Sequence, residues 1–150
     1  MKPQKILAIS SGGGHWVQLI RLRPAFEGHQ VLFATVATGY RDEIGDVPFR
    51  VIPDATRWSK WGIVRSAIAI LILLARVRPD IIISTGALPG YLAVRFGHLF
   101  GARTVWLDSI ANVEVLSLSG KEIGPYADLW LTQWEHLARP EGPHFQGAVL

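Results

Sequence analysis

The sequence predicts an α/β fold in which a single domain is built around a doubly wound, mainly parallel sheet. Short apolar runs alternate with longer stretches of helical periodicity, which is the pattern of consecutive βαβ units. The apolar runs are nearly unbroken, as expected for strands that helices cover on both faces. The chain has 150 residues, which fits one Rossmann-like domain over residues 1–150.

The composition excludes several classes of protein. Hydrophobic residues make up 49% of the chain and charged residues 18%, so the sequence predicts a folded core rather than disorder. There are no cysteines, which excludes disulfides, thiolate metal sites and a cysteine nucleophile. The net charge of +3 is too small to predict nucleic acid as a partner. The five histidines lack metal-ligand spacing, so we expect no metal site.

The sequence pattern of the amino-terminal half predicts three strands and two helices. The glycine-rich segment 11–14 reads as a turn between the first strand and the first helix. A proline at position 79 ends the second helix. The predicted strands cover residues 5–10, 30–37 and 49–52, and the predicted helices cover residues 15–26 and 61–77.

The carboxyl-terminal half continues the alternation. We expect strands at 80–84, 103–108 and 128–132, a helix at 90–100 that Gly101 ends, and the start of one more strand at 147–150. Residues 85–89 read as a loop, and residues 109–127 as irregular. Right-handed crossovers bring the carboxyl ends of the strands to one edge, where doubly wound sheets have their binding crevice.

The first loop at this edge contains three consecutive glycines, Gly12, Gly13 and Gly14. Glycine lets a ligand approach the backbone, and the amides at the start of the following helix suit a phosphate. The alternative is a tight turn without a ligand. The dinucleotide fingerprint is incomplete because Val17 replaces its third glycine, and no Gly-Lys-Ser/Thr follows as in a Walker loop.

His15 directly follows these glycines, and a neutral imidazole there is a candidate general base for an acceptor hydroxyl. The alternative is a histidine that only caps the turn. Thr85 and Gly86 follow the clearest predicted strand and open the next helix, which gives a second candidate site for an anion. The alternative for these two residues is an ordinary strand-to-helix loop.

Asp108 ends the fifth predicted strand at the same edge and is the second candidate catalytic residue. Its carboxylate would bind a sugar hydroxyl or orient His15; the alternative is the cap of a short helix. Further candidate contacts to a phosphate or a sugar follow it, although part of this set also reads as a solvated turn: Ser109, Asn112, Ser119, Gly120 and Lys121.

The helix at 61–77 is apolar on every side, although its unbroken apolar run is too short to span a bilayer. Basic residues and tryptophans flank it, a pattern typical of helices that lie in a membrane interface. The alternative is burial of this helix against the sheet and a partner. The candidate membrane-contact residues are Trp58, Trp61, Arg65, Ile68, Leu71 and Ile72.

Several motifs together resemble a known family. The segments 108–113 (DSIANV), 116–121 (LSLSGK), 133–134 (QW) and 147–150 (GAVL) resemble the asparagine-linked glycosylation protein fourteen family. Its members anchor the two-part N-acetylglucosaminyltransferase of lipid-linked oligosaccharide synthesis, with bacterial counterparts in capsule and exopolysaccharide synthesis. The opening SGGGH at 11–15 and the loop at 85–86 are similar to the same family.

The resemblance implies the amino-terminal half of a GT-B glycosyltransferase, active only with a partner. This chain would hold a lipid-pyrophosphate-linked acceptor at the cytoplasmic face of a membrane, as a peripheral protein. The partner subunit of the heterodimer would bind the UDP-sugar, so no cofactor is expected here. By the same likeness, Gly13, Gly14 and His15 match the loop that faces the acceptor pyrophosphate in the related peptidoglycan-precursor transferase. The rival functions are a non-catalytic scaffold that recruits the partner, and a stand-alone nucleotide-binding domain.

This sequence departs from the family in two places. The eukaryotic anchoring subunit usually starts with a transmembrane helix, and this sequence contains no such segment, so we expect attachment through the helix at 61–77 or through the partner. The family also tends to have Glu-Ser-Ile-Ala-Arg where this chain has Asp108-Ser-Ile-Ala-Asn112. The acid is shorter and a cation is missing, which bears on the identity of the sugar.

Overall fold

The computed structural model describes residues 1–149 and contains one parallel sheet of seven strands in the order β3-β2-β1-β4-β5-β6-β7. The order reverses between β1 and β4, which makes the space beyond these two strands the topological switch point of the sheet. The strands are β1 (Lys5–Ile9), β2 (Gln30–Thr35), β3 (Phe49–Val51), β4 (Ile81–Ser84), β5 (Arg103–Leu107), β6 (Leu129–Thr132) and β7 (His144–Phe145).

Helices connect the strands and cover the sheet on both faces. Short 3₁₀ helices complete the connections, over Arg23–Phe26, Thr38–Glu43, His98–Phe100, Gly124–Tyr126 and Glu135–Leu137. The α-helices are α1 (Gly14–Arg21), α2 (Lys60–Val77), α3 (Ala87–Gly97) and α4 (Leu118–Glu122).

Two hydrophobic cores lie on the two faces of the sheet, because side chains alternate along each strand. In β1, Ile6 and Ala8 pack with Trp16 of α1, whereas Leu7 and Ile9 pack with α2 and α3. Burial on both faces explains the nearly continuous apolar runs of the central strands. It confirms the predicted α/β, doubly wound, Rossmann-like class.

Several predicted boundaries are corrected. The first helix ends at Arg21, because Pro24 lacks an amide donor and the chain continues as a 3₁₀ helix. The third helix begins at Ala87 instead of 90, since Pro89 lies in its first turn, where proline is tolerated. Both ends of α2 agree with the sequence: Ser59 caps its start, and Arg78, which precedes a proline, takes a left-handed conformation at its end.

The carboxyl-terminal third differs more from the predictions. Residues 109–127 are not wholly irregular, because Ser117 caps the short helix α4 by accepting a hydrogen bond from the Gly120 amide. The last strand lies at His144–Phe145, not at 147–150, and residue 150 lies outside the described residues. Both elements are too short to produce a recognisable hydrophobic periodicity in the sequence.

A substitution at Gly90 tests how closely α3 packs on the sheet. A Cβ at this position would lie 2.8 Å from the Ser84 Cβ and 3.4 Å from the Ile9 carbonyl oxygen. We expect Gly90→Ala to destabilise the protein by about 1–3 kcal/mol, because overpacking outweighs the gain in helix propensity. Urea unfolding measures the change. Gly39→Ala is the matched control, since a Cβ there meets nothing within 4 Å; equal stability of the two variants would contradict this packing.

Candidate functional site

The candidate site lies at the carboxyl edge of the sheet, where three loops leave β1, β4 and β5. Strand β4 pairs with β1 on one side and β5 on the other, so these loops are neighbours. The first loop carries the glycines and His15, the second Thr85 and Gly86, and the third begins with Asp108. The predicted site residues are therefore concentrated at one edge of the sheet.

His15 and Thr85 join the first two loops by hydrogen bonds in both directions. The Nδ1 of His15 lies 3.0 Å from the carbonyl oxygen of Thr85. The Thr85 hydroxyl donates to the carbonyl oxygen of His15 at 2.6 Å. Gly86 lies against the imidazole, and an added Cβ would come within 2.5 Å of the His15 Nδ1. The position and plane of the imidazole are therefore fixed by the second loop.

This arrangement assigns the tautomer of His15. A carbonyl oxygen only accepts hydrogen bonds, so the Nδ1 that faces Thr85 carries the proton. In the neutral ring, Nε2 then keeps its lone pair and is able to accept a proton. His15 is half-buried. These are the structural requirements for a general base.

The glycine loop has an open side and a side that is filled by Tyr40. Gly13 has a φ of 67°, in the left-handed region that favours glycine, and a Cβ at Gly13 or Gly14 would meet nothing within 4 Å. At Gly12, in contrast, a Cβ would lie 2.6 Å from the Tyr40 hydroxyl. That hydroxyl accepts a hydrogen bond from the Gly13 amide at 2.7 Å.

Tyr40 belongs to the site, and sequence reasoning missed it. Its ring packs on Trp16 with centroids 5.1 Å apart, and the Trp16 indole donates to the Glu43 carboxylate at 2.9 Å. The 3₁₀ segment that follows β2 is thereby attached to α1. The sequence signal that could have identified Tyr40 was its position just beyond the end of β2, at the same edge of the sheet as the glycine loop.

Asp108 has a different environment from the predicted one. It is 1% exposed. Its Oδ1 accepts from the Trp106 indole at 3.2 Å and from the Ser117 hydroxyl at 2.5 Å. Its Oδ2 accepts from the Asn112 amide group at 3.2 Å and from the Ser117 backbone amide at 2.9 Å. The expectation that Asp108 orients His15 is therefore corrected, because Thr85 does so.

The carboxylate of Asp108 instead organises the third loop. Gly120 packs so closely on it that an added Cβ would lie 2.7 Å from its Cγ. Asn112 is held by the same carboxylate, and α4 begins at the serine that it binds. Of the remaining predicted residues on α4, Ser119 is half-buried and Lys121 is exposed.

Two buried glutamines connect this loop to α1 and β6. The Gln133 side-chain amide donates to the Gln18 side-chain oxygen at 2.5 Å and to the Asp108 carbonyl at 2.9 Å. Gln18 also donates to the Ser109 hydroxyl at 3.1 Å and accepts from the Ile110 amide at 3.0 Å. Ser109 is thus a member of this internal network. Within residues 1–149, no group of three or more His, Asp or Glu side chains could hold a metal ion.

Helix α2 presents a second candidate surface. Its buried face packs on the sheet through Ile70 and Leu74. The opposite face exposes an apolar stripe that begins at Trp61, which is 85% exposed, and Trp58, which precedes the helix, is 88% exposed. Of the predicted contact residues, Leu71 is half-buried at the edge of this face, whereas Trp58, Trp61, Arg65, Ile68 and Ile72 are exposed and Val64 joins them.

Helix α2 is therefore buried against the sheet on one face and exposes apolar side chains on the other, and its contact with a membrane stays a prediction. Of the helices in residues 1–149, none combines the length and the apolar character that crossing a bilayer requires.

Solved structures of other proteins share this fold. MurG of Acinetobacter baumannii superposes with a TM-score of 0.71 at 13% identity, covering 97% of this chain and 44% of that one. A putative UDP-N-acetylglucosamine 2-epimerase of Listeria monocytogenes superposes with a TM-score of 0.65 at 14% identity, covering 89% and 40%. This chain therefore shares the Rossmann-like α/β fold of one part of these proteins and spans less than half of their length.

Sequence comparison identifies the family within this class. Residues 49–148 match the family described as oligosaccharide biosynthesis protein Alg14 like, and the chain belongs to it. The UDP-N-acetylglucosamine transferase subunit ALG14 of Eremothecium gossypii is 27% identical over 171 aligned positions, covering 91% of this chain and 75% of that protein. The UDP-N-acetylglucosamine transferase subunit alg14 of Schizosaccharomyces pombe is 40% identical over 67 residues, which cover 40% of this chain and 31% of that protein.

Tyr40→Phe tests the attachment of the glycine loop. The variant keeps the ring on Trp16 but leaves the Gly13 amide without its acceptor. We expect a loss of about 0.5–1.5 kcal/mol in stability and faster hydrogen exchange at the Gly13 amide, measured by NMR. Tyr91→Phe, in α3, is the control. Unchanged exchange at Gly13 in Tyr40→Phe would refute the contact.

Asp108→Asn tests the role of the buried carboxylate. An asparagine directs an amide donor at groups that are themselves donors, so buried hydrogen bonds are lost. We expect the free energy of unfolding to fall by about 2 kcal/mol or more, measured by urea denaturation. Asp42→Asn, at an exposed position, should change it little. A fully stable Asp108→Asn protein would show that this network does not hold the third loop.

Proposed function

We propose that this chain is the membrane-associated, acceptor-binding subunit of a two-component glycosyltransferase. The enzyme would transfer a sugar from a UDP-sugar to a lipid-pyrophosphate-linked saccharide, in capsule, exopolysaccharide or lipid-linked oligosaccharide synthesis. Residues 1–150 would form one acceptor-binding and anchoring domain. The relatives in the family are named as subunits of a UDP-N-acetylglucosamine transferase, which supports this class of reaction.

The geometry of His15 is the observation that carries the proposal. Its ring is fixed by Thr85 and Gly86, and its Nε2 remains able to accept a proton. In the proposed mechanism, Nε2 removes the proton of the acceptor hydroxyl as that oxygen attacks the anomeric carbon of the UDP-sugar. The UDP leaves with the electron pair of the broken bond.

The acceptor pyrophosphate would lie on the open side of the glycine loop. Tyr40 already uses the Gly13 amide, so the first-turn amides of α1, at Gly14 and His15, would provide the hydrogen bonds. Gly12 would then serve the approach of Tyr40 instead of touching the ligand. The role of Asp108 becomes that of a positioning residue, because its oxygens are engaged in the third loop.

The donor sugar would come from a separate subunit, in a heterodimer that forms at the cytoplasmic face of a membrane. The exposed stripe on α2 would contact that membrane peripherally, since tryptophans beside basic residues favour the interface. One observation favours a second candidate function, a scaffold without catalytic groups. Of the two predicted catalytic side chains, Asp108 is fully engaged in internal bonds.

Glycosyl transfer from radiolabelled UDP-sugars to lipid-pyrophosphate acceptors tests the proposal. Membranes would contain this chain, the partner subunit, or both together. We expect transfer only with both, and a fall in turnover of about 10²-fold to 10⁴-fold in His15→Ala, because a general base contributes that much. His144→Ala, at an exposed position on β7, is the matched control and should retain activity.

The alternatives give different results in the same assay. Full activity of His15→Ala in the presence of the partner would identify this chain as a scaffold. Transfer by the partner alone would reduce its role to attachment. Tight binding of a nucleotide by this chain alone would favour the rival function, a stand-alone nucleotide-binding domain.

A further inference from the structure

A groove lies between the edge strand β3 and helix α2, beside the exposed apolar stripe. We propose that it binds the phosphate headgroup of an anionic phospholipid, so that the membrane contact of this protein selects negatively charged lipid surfaces. The inference rests on the proposed function, since it names the kind of membrane that α2 contacts.

The groove has a volume of about 370 Å³ and carries a cation on each side. Phe49 packs into the core beneath α1, so alternation along β3 directs Arg50 to the face of the sheet that α2 covers. Arg76 approaches from the last turn of α2. The full lining is Arg50, Val51, Ile52, Ala69, Ile72, Leu73, Arg76 and Val77.

The charges of this region are uncompensated. Residues 55–78 contain five cationic side chains and no aspartate or glutamate. Within residues 1–149, the one ion pair joins His98 to Asp128, so neither Arg50 nor Arg76 has a carboxylate partner. Both arginines are exposed, and a guanidinium binds a phosphate through paired hydrogen bonds.

The groove is continuous with the apolar stripe. Ile72 lines the groove and also belongs to the exposed stripe, and Arg76 follows it by one helical turn. A lipid whose acyl chain contacts the stripe at Ile72 therefore places its phosphate within reach of the two arginines. A zwitterionic headgroup brings its own cation into this basic region, whereas an anionic headgroup does not, which favours the anionic lipid.

Vesicle co-flotation of the full chain tests this inference. The vesicles would consist of phosphatidylcholine alone, or of phosphatidylcholine mixed with phosphatidylglycerol. We expect the wild type to bind the mixed vesicles about tenfold or more tightly than the neutral ones. The double variant Arg50→Gln/Arg76→Gln should lose about tenfold or more of its affinity for the mixed vesicles, while Arg103→Gln should retain it. Circular dichroism and thermal unfolding would confirm that each variant is folded.

Each result decides the inference. A preference for phosphatidylglycerol that the double variant retains would overturn the groove as its cause. Equal binding to both kinds of vesicle would overturn the anionic selectivity and leave the proposed membrane contact standing. Binding to neither would overturn the membrane contact itself, and the inference with it. Trp61→Ala separates the two contributions, because it should weaken binding to both kinds of vesicle.

Discussion

The candidate site depends on the reciprocal hydrogen bonds between His15 and Thr85. These residues are 70 positions apart, and they meet because β1 and β4 are neighbours in the sheet. The same contact that fixes the ring also fixes which nitrogen carries the proton. A parallel sheet whose strand order reverses at this point therefore supplies both the position and the tautomer of the histidine.

The rest of the crevice is arranged around this contact by polar side chains that are buried or half-buried. Tyr40 fixes the glycine loop from one side, and the pair Gln18–Gln133 fixes the third loop from the other. Each of these side chains bonds to a residue from a different connection of the sheet. Such networks hold loops in one arrangement because breaking any member leaves an unpaired polar group.

The central fold was accessible from the sequence, because strands such as β4 are unbroken apolar runs between clear breakers. The locations of His15 and Thr85 at one edge followed from that fold. Their mutual contact did not follow, since chain order alone does not say that β1 and β4 pair. Asp108 shows the same limit: the sequence places a carboxylate at a strand end, whereas its four donors come from Trp106, Asn112 and Ser117 only once the third loop has folded.

Helix α2 runs from the connection after β3 to the beginning of β4, so it starts at the carboxyl edge of the sheet. The exposed Trp58 and Trp61 therefore lie at the same end of the domain as the glycine loop. On the proposed function, an acceptor lipid would reach the crevice by lateral diffusion within the bilayer plane. The search for the substrate would then be two-dimensional, and the encounter rate would follow the surface density of the lipid instead of its bulk concentration.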